Sequence, residues 1–281
     1  MLQKFYKYHG AGNDFLLADN RDALLSLSPA QISHLCDRHT GFGADGVMLL
    51  EKSENQDFRM VFYNPDGSGG MMCGNGGRCI VAFAADLGVV SGQFPVIFEA
   101  PDGLHKAVIL NSAKDSPRMV RLKMKDVHGI EGIGDLDACF LDTGTRHLVR
   151  MVSGLDSYPV REEGRILRSD PRFSPEGTNV NFVEPEDGPS GTRVLHVRTF
   201  EKGVEDETLA CGTGIVASAL AAYSRGVPGE AAPDGRVCYP VRSSITSLSV
   251  DFMPVSSGPF EASDIWLTGP AVFVGTIECF L

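Results

Sequence analysis

Two stretches of the chain are apolar on nearly every face at helical length. The first runs through Cys79, Ile80, Val81, Phe83, Ala84 and Leu87, the second through Ile215, Val216, Ala219, Leu220, Ala222 and Tyr223. A helix with no polar face is expected inside a domain, covered on all sides. Both open on the same tetrad, Cys73-Gly74-Asn75-Gly76 and Cys211-Gly212-Thr213-Gly214. Both reach a glycine, Gly88 or Gly226, at the same interval after the cysteine, where a left-handed glycine stops a helix. A strand and a polar turn precede each copy: Phe58 to Tyr63 with Asn64-Pro65-Asp66-Gly67, and Val194 to Phe200 with Glu201-Lys202-Gly203. Further upstream, Gly41 to Val47 is weakly echoed by Gly177 to Phe182, and Gly12 to Phe15 by Gly144 to His147, at a near-constant offset. Such a repeat predicts two similar α/β domains from a duplication. One further helix is signalled by Ser28-Pro29-Ala30-Gln31, with an N-cap serine, Pro at N1 and Gln at N3. It is expected to run to about His39.

Composition narrows the class. With 281 residues, 32 glycines and 16 prolines, the chain suits two turn-rich mixed domains better than a helical bundle. A net charge of −11 argues against nucleic acid as a partner. No apolar run is long enough to span a membrane, and the N-terminus lacks the pattern of a secretion signal, so a cytoplasmic location is the expectation. Seven cysteines, an odd number, argue against a disulfide framework, and a small buried apolar side chain is the ordinary use of each.

Cys73 and Cys211 stand apart because each opens a glycine-rich helix start. Such a start presents unpaired N–H groups and the positive end of the dipole. Glycines let that backbone approach a ligand, which makes a cradle for a carboxylate. A thiol at the same place has its ionised form favoured. A single Cys-Gly-x-Gly is usually just a turn, but two copies at matching places suggest one carboxylate gripped from both sides, with a sulfur on each face of the adjacent α-carbon. One thiolate would remove the α-proton and the opposite thiol would return one, inverting the centre. Cysteine spacing suits neither a zinc site nor a redox pair, and neither a dinucleotide fingerprint nor a P-loop is present. No metal and no cofactor are expected.

These motifs, with His9-Gly10-Ala11-Gly12-Asn13-Asp14-Phe15, Gly41-Phe42-Gly43-Ala44-Asp45-Gly46 and Gly177-Thr178-Asn179-Val180-Asn181-Phe182, resemble the diaminopimelate epimerase family over nearly the whole chain. Proline racemases and hydroxyproline epimerases of the same superfamily usually have His where this chain has Asn75. The resemblance implies two pseudo-symmetric α/β domains, each a sheet wrapped around a central helix, spanning residues 1–123 plus 270–281 and 124–269. It implies a site in the cleft between them, a homodimer, and the small-molecule substrate diaminopimelate. It makes Cys73 and Cys211 the catalytic thiols, with His147 and Glu201 handling protons beside them. Gly74, Asn75, Gly212 and Thr213 become the carboxylate cradle, and Asn13, Asn64, Asn179 and Lys202 substrate contacts. Taken singly, His147 would be an ordinary core histidine, Glu201 a strand-end charge, Asn64 a turn residue, and Asn13 and Asn179 loop residues. The family commonly has Asn-Pro-His at Thr145-Arg146-His147 and Glu-Arg-Gly at Glu201-Lys202-Gly203. The interval from Glu201 to Cys211 is also one residue longer. The first two departures fall where the far carboxylate of the substrate is expected. A related racemase or epimerase for another amino acid, and a non-catalytic amino-acid-binding homologue, are the alternatives.

Overall fold

The computed structural model describes residues 2–92, 94–111, 117–188, 192–255 and 260–281. The chain divides into two compact units, Met1–Leu122 with Gly269–Leu281, and Lys123–Thr268. In unit 1 the strands are β1 (Leu2–Gly10), β2 (Asn13–Asp19), β3 (Val47–Glu51), β4 (Phe58–Tyr63), β5 (Val96–Ala100), β6 (Gly103–Ile109) and β7 (Arg118–Lys123). The helices are α1 (Pro29–Cys36) and α2 (Gly74–Asp86). Unit 2 holds β8 (Val127–His128), β9 (Glu131–Ile133), β10 (Ala138–Asp142), β11 (Arg146–Met151), α3 (Val160–Arg168), β12 (Asn179–Asp187), β13 (Arg193–Glu201) and β14 (Asp206–Thr208). It continues with α4 (Gly212–Ser224), β15 (Glu230–Ala231), β16 (Val237–Arg242) and β17 (Ser247–Val255). The last strand, β18 (Glu261–Phe280), gives its first part to unit 2 and its end to unit 1.

The internal repeat is written in the strand ladders. In unit 1 the order β18, β1, β2, β3, β4, β5, β6, β7 carries pairings that are antiparallel, antiparallel, parallel, antiparallel, parallel, antiparallel and antiparallel. In unit 2 the order β9, β10, β11, β12, β13, β16, β17, β18 carries the same succession. Each sheet curls around its cysteine helix: α2 lies against β1, β2, β3 and β6, and α4 against β10, β11, β12, β13, β16 and β17. The fold is therefore the mixed α/β class expected, a sheet wrapped on a central helix, twice.

Burial explains why α2 and α4 are helices at all. The first turn of α2, Gly-Asn-Gly-Gly, is intrinsically poor, each glycine costing about 1 kcal/mol relative to alanine. Tertiary packing overrides this: Cys79, Ile80, Val81, Ala82, Phe83 and Ala84 are all inaccessible to solvent. Both helices end as the sequence predicts, with Gly88 at φ +71 and Gly226 at φ +77, a region that L side chains rarely enter. Separate apolar clusters complete the interiors. Ile32 and Leu35 of α1 join Phe5, Leu16 and Val47. Val160 and Leu167 of α3 join Leu148, Phe182 and Phe200.

Helix α1 begins as expected: the Ser28 side chain accepts from Gln31 N, the Gln31 side chain accepts in return from Ser28 N to close the capping box, and Pro29 sits in the first turn. It ends three residues earlier than the expected His39. The Asp37 carboxylate accepts from the backbone N–H of His39 and of Thr40, at 2.8 and 2.5 Å. These bonds form a tight turn that competes with another helical turn. Among the described residues no helix is long and apolar enough to cross a membrane.

Candidate active-site elements

Cys73 is the N-cap of α2, and its sulfur accepts from the N–H of Gly76 at 3.3 Å. The thiol lies 3.9 Å from Asn13 Oδ1. Asn13, at the start of β2, is held by donating Nδ2 to Asp45 Oδ2 at 2.7 Å, and Asp45 is in turn paired with Arg38 at 2.7 Å. Asn75 Nδ2 donates to Asn13 Oδ1 at 3.5 Å, while its Oδ1 accepts from Arg78 at 2.8 Å. Arg78 is fully buried, and burial is what pulls its pKa down. Its remaining donors reach the backbone oxygens of Gly74, at 3.0 Å, and Pro270, at 3.4 Å. A buried cation thus lies directly under the first turn of α2, where it reinforces the positive end of the dipole. Asn64 does the turn work its sequence context offers: Nδ2 donates to Ser68 Oγ at 3.0 Å and to Gly69 O at 3.3 Å.

In unit 2 Cys211 caps α4, with its sulfur 3.5 Å from Thr213 Oγ1. The Thr213 carbonyl accepts from Thr143 Oγ1 at 3.1 Å, which pins the first turn to the loop before β11. His147, on β11, is inaccessible to solvent. Asn181 Nδ2 donates to its Nδ1 at 3.0 Å, and its Nε2 meets Thr145 Oγ1 at 2.9 Å. Burial, only partly opposed by the Asn181 bond, pushes the imidazole down to about 3. His147 is accordingly neutral near neutral pH, a fixed hydrogen-bonding group rather than a titrating one. Glu201, at the end of β13, accepts from Thr208 Oγ1 at 2.9 Å. Asn179 is buried: Nδ2 donates to Arg146 O at 3.1 Å, and Oδ1 accepts from Lys202 N at 2.9 Å. Lys202 Nζ donates to Glu176 O at 2.8 Å, while Arg146 pairs with the Glu176 carboxylate at 2.8 Å. Three groups that sequence reasoning did not single out support these positions: Asp45 behind Asn13, Arg78 under Cys73, and Asn181 behind His147. All lie inside or just beside the family motifs, but nothing in the motifs distinguishes a supporting amide or charge from its neighbours.

Glu184, Glu186 and His196 also converge, their ligand atoms within 4.8 Å of one another. Arg242 fills that group, bonded to Glu186 at 2.5 Å and to His196 Nδ1 at 2.9 Å. A guanidinium there supplies the positive charge that a metal would bring.

The buried imidazole carries a pH prediction. A histidine whose folded pKa is depressed stabilises the protein above the unfolded value of about 6.5. That stability is lost as pH falls from there toward about 3. Between pH 7 and pH 5, wild type should lose about 2 kcal/mol more unfolding free energy than His147→Gln. Urea unfolding of both proteins at the two pH values measures this. Parallel pH slopes would show that His147 is not the group responsible.

Comparison with known proteins places this fold and these motifs. Solved structures with the same fold include a phenazine biosynthesis PhzF-family protein of Bacillus anthracis (TM-score 0.75, 16% identity, all of both chains covered). Another is a hydroxyproline epimerase of Agrobacterium vitis (TM-score 0.65, 19% identity, 99% of this chain and 92% of that one). The class is thus the two-unit epimerase-like fold. Residues 5–124 and 139–232 match the diaminopimelate epimerase family model. Relatives named diaminopimelate epimerase are 42% identical in Chlorobaculum tepidum, over 95% of this chain and 98% of that protein. In Flavobacterium psychrophilum the figures are 40%, 96% and 98%. The chain belongs to the diaminopimelate epimerase family.

Proposed function

We propose that this chain is an isomerase interconverting LL- and meso-diaminopimelate without a cofactor, with Cys73 and Cys211 as its acid–base pair. The observation that carries this reading is the repeated local arrangement: a cysteine at the N-cap of a buried helix, followed by Gly-x-Gly, in each of two units with the same ladder order. One thiolate takes the α-proton and the other thiol delivers a proton to the opposite face. Between the two steps, negative charge spreads onto the substrate carboxylate. The N–H groups at the helix starts, around Gly74 and Asn75 and around Gly212 and Thr213, stabilise that charge as an oxyanion hole does. Asn13, Asn64 and Asn179 serve as substrate contacts, and His147 and Glu201 assist the thiols. Relatives bearing the diaminopimelate epimerase name support this substrate, and the reading places the reaction in lysine and peptidoglycan precursor synthesis. A cytoplasmic homodimer belongs to the same reading, and light scattering of the purified protein tests the dimer. Nucleic acid and membranes are not expected partners.

The decisive experiment is α-proton exchange in heavy water against a panel containing LL- and meso-diaminopimelate, proline and hydroxyproline. Exchange on both diaminopimelate isomers is expected. Exchange confined to proline or hydroxyproline would overturn the assignment.

Lys202 is proposed to bind the far carboxylate, as a mobile point charge in place of a rigid fork. Lys202→Ala should raise KM for diaminopimelate about tenfold with kcat largely retained, the signature of lost uniform binding. If Arg146→Ala raises KM while Lys202→Ala leaves it unchanged, Arg146 holds the far carboxylate instead.

A further inference from the structure

Two threonine hydroxyls join the imidazole of His147 to the sulfur of Cys211. Thr145 Oγ1 lies 2.9 Å from His147 Nε2 and 3.1 Å from Thr213 Oγ1, and Thr213 Oγ1 lies 3.5 Å from Cys211 Sγ. The direction of this chain follows from Asn181. The main-chain oxygen of Leu148 can only accept, so the Asn181 atom 3.3 Å from it is the amide nitrogen. Asn181 Oδ1 accordingly accepts from Thr199 Oγ1 at 2.9 Å. The same amide nitrogen faces His147 Nδ1 at 3.0 Å, so Nδ1 is the acceptor and the neutral ring carries its proton on Nε2. Nε2–H therefore donates to Thr145, whose hydroxyl donates to Thr213. The Thr213 hydroxyl is left with its proton to give to the sulfur. Every donor in the series points toward Cys211.

We propose that Thr145 is a positioning residue for the Cys211 thiolate, passing the orientation fixed by Asn181 and His147 through Thr213 to the sulfur. Hydrogen bonds to an ionised group favour the ionised form, and a polarised series strengthens its last member. Unit 1 uses a different device, since the sulfur of Cys73 accepts a backbone N–H from Gly76. The two thiols of the repeat thus accept from unlike donors, a backbone N–H at Cys73 and a threonine hydroxyl at Cys211. This inference rests on the proposed function only in taking Cys211 as a reacting thiol.

The test compares wild type, Thr145→Val and Thr145→Ser in alkylation by iodoacetamide at one fixed neutral pH. The Cys211 peptide is followed by mass spectrometry, with the Cys73 peptide of the same sample as the internal control. Thr145→Val should slow Cys211 alkylation about tenfold, the loss of one pKa unit of thiolate stabilisation, and leave Cys73 unchanged. Thr145→Ser, which keeps the hydroxyl, should keep the wild-type rate. With diaminopimelate, Thr145→Val should lower kcat by a similar factor at unchanged KM. Wild-type alkylation of Cys211 in folded Thr145→Val, or a Thr145→Ser rate as slow as that of Thr145→Val, overturns the inference. Should Thr145→Val fail to fold, Thr213→Val breaks the series one link nearer the sulfur and carries the same expectation. A wild type inert toward diaminopimelate would sink the functional reading alone. The alkylation ratio contains no substrate and would still decide this inference.

Discussion

Cys73→Ser and Cys211→Ser should each lower epimerisation by at least about three orders of magnitude while the protein stays folded. Both cysteines are helix N-caps, and serine is among the preferred N-cap residues. A hydroxyl in place of the Cys73 sulfur still accepts from Gly76 N–H, and one in place of the Cys211 sulfur still meets Thr213. Neither helix loses its start. What disappears is acidity: a serine hydroxyl is hardly ionised near neutral pH, whereas a thiol beside helix-start donors is readily ionised. Circular dichroism should be unchanged and racemising turnover nearly absent in both variants. Near-normal turnover in either folded variant would rule out the two-thiol mechanism.

Gly214→Ala should be far more damaging than Gly76→Ala, although the two glycines occupy the same place in the repeated tetrad. A Cβ at Gly214 would stand 2.2 Å from Asn181 Oδ1. That amide cannot swing aside, because it is buried and already bonded to Thr199, Leu148 and His147. The overlap has to be relieved by moving α4 or by breaking the His147 contact, costing about 3 kcal/mol or more. A Cβ at Gly76 would meet the Cys73 sulfur at 3.3 Å, the Met48 sulfur at 3.4 Å and the Phe15 ring at 3.7 Å, none of them in hard overlap. There the higher helix propensity of alanine offsets the crowding, and the change should stay within about 1 kcal/mol. Urea unfolding of the two variants reads the difference directly. Equal destabilisation would mean that Asn181 is not held as tightly as its bonds indicate.

This asymmetry shows what a sequence pattern carries and what it does not. The cysteine helices were legible because all-round apolar composition has few structural uses, and because Gly88 and Gly226 close both at the same interval. The strands Phe58 to Tyr63 and Val194 to Phe200 were legible from alternation bounded by turns. The ladder order was not, because pairing such as Leu2 with Phe280 depends on residues almost a whole chain apart. The end of α1 was misplaced because the competing turn is made by a single carboxylate, Asp37, which local propensity does not weigh. Within the site, the cysteines announced themselves by chemistry and repetition. Asn181 could not, since an asparagine inside a strand looks the same whether it faces solvent or a buried imidazole. Thr145 was visible as a departure from the family pattern and was read in terms of the far carboxylate. Its hydroxyl bonds His147 and Thr213, contacts that the departure itself did not signal.

The attachment of Arg78 to Pro270 makes the start of the Cys73 helix depend on a distant stretch of the chain. Residues 123–268 form one continuous stretch that contains every ladder partner from β9 to β17, whereas unit 1 is assembled from two separate stretches. Unit 2 can therefore form from a single continuous stretch of chain. Until residues 269–281 join unit 1, β1 lacks its antiparallel neighbour in β18, and the guanidinium beneath Cys73 lacks one of its backbone acceptors. The first turn of α2 is fully framed only when residues 269–281 dock against β1. Closing so long a loop is also entropically slow, so refolding of the intact chain should show unit 2 gaining amide-exchange protection ahead of α2 and β1.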